Sequence, residues 1–295
     1  MMALTGTILS YPTRGVGGDP KYRGNAAPQI FQDVVGWVKP KKVFIPFRGG
    51  GTEADVCERL GINHLALDLN PAYGGWDALN DDVPESSDLV YCHPPYHNMV
   101  VYSGEVWGQN PDPRDLSRCA TYEDFISKWN GIQAKLMSSL RKGGYLAVLV
   151  GDYKKNGRLY SIQKDMAWLG TPVQVIIKQQ HNCWSDKKVY AGSFIPIQHE
   201  YLLLFRRDDA YCIPVRVVKT VDIDLRTKVK QTWRDVVHSA LEALGGHSTL
   251  DKLYAEIEGH AKCNDNPHWK EKIRQTLQRC VDFINTSRGE WAFGY

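Results

Sequence analysis

Val43-Phe44-Ile45-Pro46-Phe47-Arg48-Gly49-Gly50-Gly51-Thr52 is the stretch that decides the fold. A short apolar run ends in three consecutive glycines, and an amphipathic helix pattern (Ala54, Val56, Cys57, Leu60) begins at about Glu53. Strand, glycine turn, helix is the geometry in which a backbone closely approaches a nucleotide-like ligand. No Gly-Lys-Ser/Thr follows, so the phosphate-cradling loop of an NTPase is not supported, and the glycines fall short of a full G-x-G-x-x-G.

Working outward, His64-Leu65-Ala66-Leu67-Asp68 reads as a second strand ending in a carboxylate, 17 residues beyond Gly51. An acid at the tip of the next strand is placed to accept from ribose hydroxyls. A third run, Asp88-Leu89-Val90-Tyr91-Cys92, stops at His93-Pro94-Pro95-Tyr96. Two prolines remove two backbone donors and fix the exit path. The free carbonyls, one polar side chain (His93) and one aromatic ring (Tyr96) make a corner that can grip the amino group of a flat heterocycle while stacking on it.

With these stretches in hand, the chain resembles the amino-group DNA methyltransferases, which use S-adenosylmethionine to methylate adenine N6 or cytosine N4. Their catalytic corner is Asp/Asn/Ser-Pro-Pro-Tyr and their cofactor turn is typically Asp-Pro-Phe-x-Gly-x-Gly-Thr, matched here by His93–Tyr96 and Ile45–Thr52. Arg23-Gly24-Asn25-Ala26-Ala27-Pro28 and the helical run 29–38 look like the segment that meets the cofactor carboxylate, and Trp76-Asp77-Ala78 like the acidic turn that contacts its adenine. Residues 141–152 resemble the strand after the catalytic corner, and His199–Phe205 the last hairpin strand. The resemblance covers most of residues 20–207 and implies a Rossmann-like fold, with a mostly parallel sheet and helices on both faces. It implies S-adenosyl-L-methionine as cofactor, bound by Asn25, Pro46, Phe47, Gly49, Gly51, Thr52, Asp68 and Asp77, and a base flipped out of double-stranded DNA onto His93, Pro94, Pro95 and Tyr96. Two positions depart from the pattern in the cofactor region: Ile45 replaces the usual acid, and Ala27 stands where a polar residue is common. In the catalytic corner, His93 replaces the Asp, Asn or Ser, which removes the usual clue to the target base; adenine N6 is placed ahead of cytosine N4. Relatives with Asn-Pro-Pro-Tyr also methylate RNA or protein glutamine, and a non-catalytic DNA-binding descendant is the other alternative that His93 prompts.

Composition agrees with a large α/β domain plus an appendage: 295 residues, 43% hydrophobic, 23% charged and a net charge of +3. Seven cysteines without a C-x-x-C oppose a disulfide scaffold and fit a cytoplasmic protein, nucleoid-associated if bacterial. His260, Cys263, His268 and Cys280 match no common zinc spacing, so no metal is expected. The sequence shows neither a secretion signal nor an apolar run long enough to span a membrane. The chain contains no Pro-Cys dipeptide, which a C5-cytosine methyltransferase would use for its nucleophile.

The expected organisation is an N-terminal arm (1–20), a catalytic domain (21–221), a linker (222–231) and a small C-terminal domain (232–295). Met99 to Ala120, rich in glycine and proline, reads as a long functional loop beside the base pocket, and Tyr122 to Leu140 as a core helix. Residues 181–190 interleave aromatic and basic side chains, including Lys187 and Lys188, as suits contact with an unstacked strand. Val215 to Ile223 reads as an extension of the sheet. The C-terminal segment predicts helices over Trp233–Leu241, Leu250–Glu258 and from Pro267, the third with Trp269, Ile273, Leu277 and Val281 as its apolar stripe. A wing over 284–293 follows, which together resembles a winged helix-turn-helix. Lys270, Lys272 and Arg274 fall on its third helix, as DNA contacts. A homodimer or a partner nuclease is left open.

Overall fold

The computed structural model describes residues 4–181, 195–221 and 231–294. It divides into two compact units, Met1–Lys219 and Thr220–Tyr295.

In the first unit the elements run β1 (Ile8–Ser10), α1 (Pro28–Val38), β2 (Lys42–Ile45), α2 (Thr52–Leu60), β3 (Asn63–Ala66), β4 (Ser87–Cys92), α3 (Tyr122–Ser139), β5 (Leu140–Lys155), β6 (Arg158–Ser161), α4 (Ile162–Asp165), β7 (Trp168–Leu169), β8 (Thr171–Gln179), β9 (His199–Arg206) and β10 (Val215–Arg216). The main sheet has the order β1-β8-β9-β5-β4-β2-β3, with β6 paired to the outer half of β5. β3, β2, β4 and β5 are parallel neighbours, and β9 runs antiparallel between β5 and β8. This is the Rossmann-like, mostly parallel architecture expected from the sequence.

The period of two along the central strands splits the core. Val43, Ile45, Leu89, Tyr91, Ala147, Leu149, Leu202 and Leu204 face α1 and α2, whereas Phe44, Val90, Cys92, Leu146, Val148, Val150, Leu203 and Phe205 face α3. Because both faces are covered, the strands read as continuous apolar runs rather than alternating ones. α1 opens with Pro28 in its first turn and buries Ile30, Phe31, Val34 and Val35. α2 starts at Gly51 with Glu53 and Asp55 in its first turn and Arg59 in its last, a charge order matched to the helix dipole. Thr121 caps α3 by accepting from the Asp124 N–H.

Three local readings change. Residues 1–20 are not free of elements: Ile8–Ser10 pairs in parallel with β8 at the sheet edge. Farther along, Arg59 reaches the Val16 carbonyl and the Gly18 N–H donates to Asp55 (2.7 Å), so this segment lies along α2. Val215–Arg216 does not extend the main sheet; it pairs with β7 in a separate two-stranded piece, and Val217, Val218 and Val221 are exposed. β5 continues past the sheet to Lys155 and returns through Asn156-Gly157 as β6, a hairpin whose Asn-Gly signal lies plainly in the sequence.

The second unit runs α5 (Trp233–Ala243), β11 (His247–Thr249), α6 (Leu250–Ile257), α7 (Ala261–Asn264), α8 (Trp269–Arg279), β12 (Phe283–Ser287) and β13 (Glu290–Phe293), with a small sheet in the order β11-β13-β12. Thr232 and Asp235 form a capping box on α5, and Thr249 caps α6. Val237, Leu241, Leu253, Ile257, Ile273, Leu277 and Phe283 build its core. Val281 is not in that stripe: α8 ends at Arg279, and Val281 is 91% exposed. Among the described residues no helix is long and apolar enough to cross a membrane.

Gly18 tests how firmly the N-terminal segment is fastened. Its φ is +64°, and an added Cβ would lie 2.5–2.7 Å from Thr52 atoms, whereas Gly108 (φ +68°) has nothing within 4 Å. Gly108→Ala should cost only the left-handed strain, about 1–2 kcal/mol. Gly18→Ala should lower the unfolding midpoint further, because backbone must also move; equal losses in urea melts of the two variants would show that the close approach is not rigid.

Candidate active site

β2 pairs with β3 on one side and with β4 on the other, so the strand order reverses at β2. Chains leaving β2 and β4 therefore diverge, and a crevice opens beyond their carboxyl ends. It is an open cleft, where ligands of such sheets characteristically bind.

Its floor is the glycine turn. Gly49 N–H donates to Asp68 Oδ2 and Asn70 N–H to Asp68 Oδ1, both at 2.9 Å, so one carboxylate ties the turn after β2 to the segment after β3. Burial pushes the Asp68 carboxyl up, against the pull of those N–H groups and of Arg48. Gly49 has φ +49°, and a Cβ there would sit 3.2 Å from the Tyr22 ring. The backbone is thus left bare where the cleft meets it.

Asn25, Pro46, Phe47, Gly49, Thr52, Asp68, Asp77, His93 and Pro95 all line this cleft. Asp77 is buried and accepts from the Leu79 N–H (2.8 Å) and the Asn80 amide (2.7 Å). Three other expected residues stand behind the lining. Gly51 is the N-cap of α2, Pro94 is buried, and Tyr96, at 7% exposure, is packed against Gly151.

The His93–Tyr96 corner is braced from behind. His93 Nε2 lies 3.0 Å from Tyr96 Oη, which donates to Glu200 Oε1 at 2.8 Å. Glu200 Oε2 in turn accepts from Lys178 Nζ at 2.7 Å. Burial is the largest influence on the Glu200 carboxyl and raises it, but the charges of Lys178 and His93 and the hydrogen bonds from Lys178 and Tyr96 together hold the group below its ordinary value. Burial holds the His93 imidazole below its usual 6.5, the Glu200 charge opposing and the Lys178 charge adding to that shift.

Sequence reasoning placed the loop 99–120 beside the pocket but named none of its wall residues. Residues 99–120 fold around the buried carboxylate of Asp115, which accepts from the N–H and hydroxyl of both Ser103 and Ser117 (2.7–2.8 Å). That arrangement brings Tyr102, Trp107, Arg114, Asp115 and Leu116 to the cleft. Tyr22, from the N-terminal segment, stacks on Tyr102 at 6.1 Å and 24°. Glu53 also lines the cleft at 7% exposure, and burial pushes its carboxyl up from 4.5 to about 7. Its place, one residue past the glycine-turn threonine, was the available signal.

The expected DNA contacts divide. Lys187 and Lys188 lie outside the described residues. Lys270, Lys272 and Arg274 are exposed on α8. Lys270 stands over the rings of Trp269 and Tyr254 (5.2 and 5.4 Å), Lys272 donates to Gln275 (3.0 Å), and Arg274 meets Glu271 (3.1 Å).

No protein-family model matches the chain, and no curated protein sequence does. Among solved structures it is similar to TrmN from Thermus thermophilus (16% identity, 63% of this chain and 50% of that one, TM-score 0.39). It is also similar to a second Thermus thermophilus protein, provisionally described as a DNA modification methylase (15% identity, 67% and 62%, TM-score 0.28). A third likeness is to the N-methyltransferase NodS from Bradyrhizobium japonicum in complex with S-adenosyl-L-homocysteine (14% identity, 58% and 79%, TM-score 0.34). The matched part spans half the length of the TrmN chain.

Glu53 gives the cleft a measurable pH signature. Unfolded, it loses its proton near 4.5; folded, near 7. Between those values the folded state keeps a proton that the unfolded state has lost, so stability falls as pH rises through the interval and stays lowered above it. The rise amounts to roughly 3 kcal/mol. Glu53→Gln should therefore melt higher than the native protein at pH 8 and no higher at pH 4.5. A melting difference that is the same at both pH values would show that the carboxyl is not held protonated by burial.

Proposed function

We propose that this protein is an S-adenosylmethionine-dependent methyltransferase acting on an exocyclic amino group of a base in DNA, adenine N6 ahead of cytosine N4. The observation that supports the reading most is that one cleft, at the switch point of the sheet, is lined both by the glycine turn with its acids and by the His-Pro-Pro corner.

The residues present fit the cofactor. The bare backbone at Gly49 admits close approach, Asp68 and Asp77 supply acceptors for ribose hydroxyls and an adenine amino group, and Asn25 and Thr52 add further polar groups to the lining. The bound cofactor would supply an electrophilic methyl on its sulfonium. The protein's task is then to make an aromatic amine nucleophilic and to aim it. Acceptors at His93 and the Pro94 carbonyl hold the two N–H bonds and draw the nitrogen towards tetrahedral geometry, so that its lone pair points at the methyl. His93 serves only as the neutral imidazole, and its lowered pKa keeps it neutral at physiological pH. The transfer is a direct displacement, so none of the seven cysteines is needed as a nucleophile.

The second unit supports DNA as the substrate class. Its three longer helices, α5, α6 and α8, followed by a β-hairpin, with Lys270, Lys272, Arg274 and Arg279 on α8, read as a winged helix-turn-helix with a basic recognition helix.

Two measurements test this. Incubation with genomic DNA and methyl-labelled S-adenosylmethionine, followed by digestion to nucleosides and mass spectrometry, should yield N6-methyladenine. Label appearing only in RNA or protein under the same conditions would overturn the substrate class. Replacing Lys270, Lys272 and Arg274 by Ala should weaken DNA binding and flatten its salt dependence by about three phosphate contacts, a slope change of roughly 2.7. An unchanged slope would remove α8 from the DNA interface.

A further inference from the structure

The family pattern opens the catalytic corner with Asp, Asn or Ser, side chains whose oxygen is an acceptor whatever lies behind it. Histidine is different. A neutral imidazole carries one donor and one acceptor, and what its inner nitrogen does decides which the outer one is. Here the inner nitrogen, Nε2, faces Tyr96 Oη at 3.0 Å, and Nδ1 has no hydrogen-bond partner among the described residues.

The proton positions follow from the far end of the chain of contacts. Lys178 on β8 and Glu200 on β9 are direct cross-strand partners, and their ion pair is almost fully buried, with side-chain exposures of 12% and 8%. A carboxylate paired to an ammonium is ionised and can only accept. Tyr96 therefore spends its one hydroxyl proton on Glu200 Oε1, at 2.8 Å. The tyrosine oxygen then has only lone pairs left for His93, so Nε2 must carry the imidazole proton and Nδ1 must be bare.

We propose that Glu200, braced by Lys178, is a positioning residue that acts through the Tyr96 hydroxyl to hold His93 as its Nε2–H tautomer, leaving Nδ1 as the acceptor for the target amino group. The role assigned to Nδ1 rests on the amino-group reading above; the tautomer does not. The arrangement also gives buried Tyr96 a function other than stacking. It fixes which end of the imidazole accepts, at a position where the wrong tautomer would point an N–H at an N–H.

The test is the ¹⁵N NMR spectrum of protein labelled in its histidine side chains, with the His93 signals assigned by their loss in His93→Asn. The native protein should show His93 as the Nε2–H form; the Nδ1–H form would overturn the proposal without any variant at residue 200. Glu200→Gln sharpens the test. Lys178 should claim the amide oxygen, leaving the amide N–H₂ facing Tyr96, so that the tyrosine proton turns towards His93. The tautomer should then switch to Nδ1–H, and kcat for methyl transfer should fall by about tenfold or more with cofactor affinity unchanged. Tyr96→Phe should release the tautomer to a mixture. A spectrum unchanged in both variants overturns the relay. A switched tautomer with undiminished methyl transfer overturns Nδ1 as the acceptor, and with it the amino-group reading, while the relay itself stands.

Discussion

Everything at the cleft depends on one constraint of sheet topology. β2 is flanked in parallel by β3 and β4, and the helices that follow are laid on opposite faces: α2 against Val43 and Ile45, α3 against Val90 and Cys92. Two chains leaving neighbouring strands towards opposite faces cannot pack on each other, so the crevice between their first turns is a necessity of the fold. The sequence then puts a glycine turn on one lip and a Pro-Pro corner on the other. The glycine lip carries no side chains, and the two prolines of the corner carry no backbone N–H.

The two lips are held by different means. The glycine turn has no side chains of its own and is fixed by Asp68, which spends both oxygens on backbone N–H groups of Gly49 and Asn70. The corner is fixed from within the sheet, through Tyr96 to the buried pair of Glu200 and Lys178. A buried ion pair of this kind is weak evidence for stability, since desolvation offsets much of its attraction. Its value here is directional. Leaving either partner alone would bury an uncompensated charge, so the pair keeps a fixed geometry against which the tyrosine hydroxyl and the imidazole are aligned.

How much of this could be read in the chain depends on range. The strands, α2, α3 and the C-terminal helices were legible because apolar period and caps are local signals; Thr121, Thr232 and Thr249 sit where caps are expected. Asp68 was legible because a βαβ unit fixes its offset from the glycine turn, and Asp77 only through the family resemblance of Trp76-Asp77-Ala78. The walls were not. Tyr22, Tyr102 and Trp107 come from irregular segments whose course is set by contacts such as Asp115 with Ser103 and Ser117, which leave no periodic trace. Glu200 lay in a stretch read only as a strand, Lys178 in one given no reading of its own, and Tyr96 is 104 residues from Glu200. Pairing across that distance is decided by strand order, which one chain read alone does not display. Val281 was misplaced for a smaller reason: apolar spacing continued one turn beyond the end of α8 at Arg279.

The central claim is that the cleft at the switch point is the cofactor site, and calorimetric titration with S-adenosylhomocysteine tests it most directly. Gly49→Val puts a side chain where the backbone is bare, and Asp68→Ala removes both the proposed ribose acceptor and the tie that holds the turn. The account predicts saturable binding to the native protein and at least a tenfold loss of affinity in each variant, about 1.4 kcal/mol. Native affinity retained in both variants would contradict it and place the cofactor elsewhere.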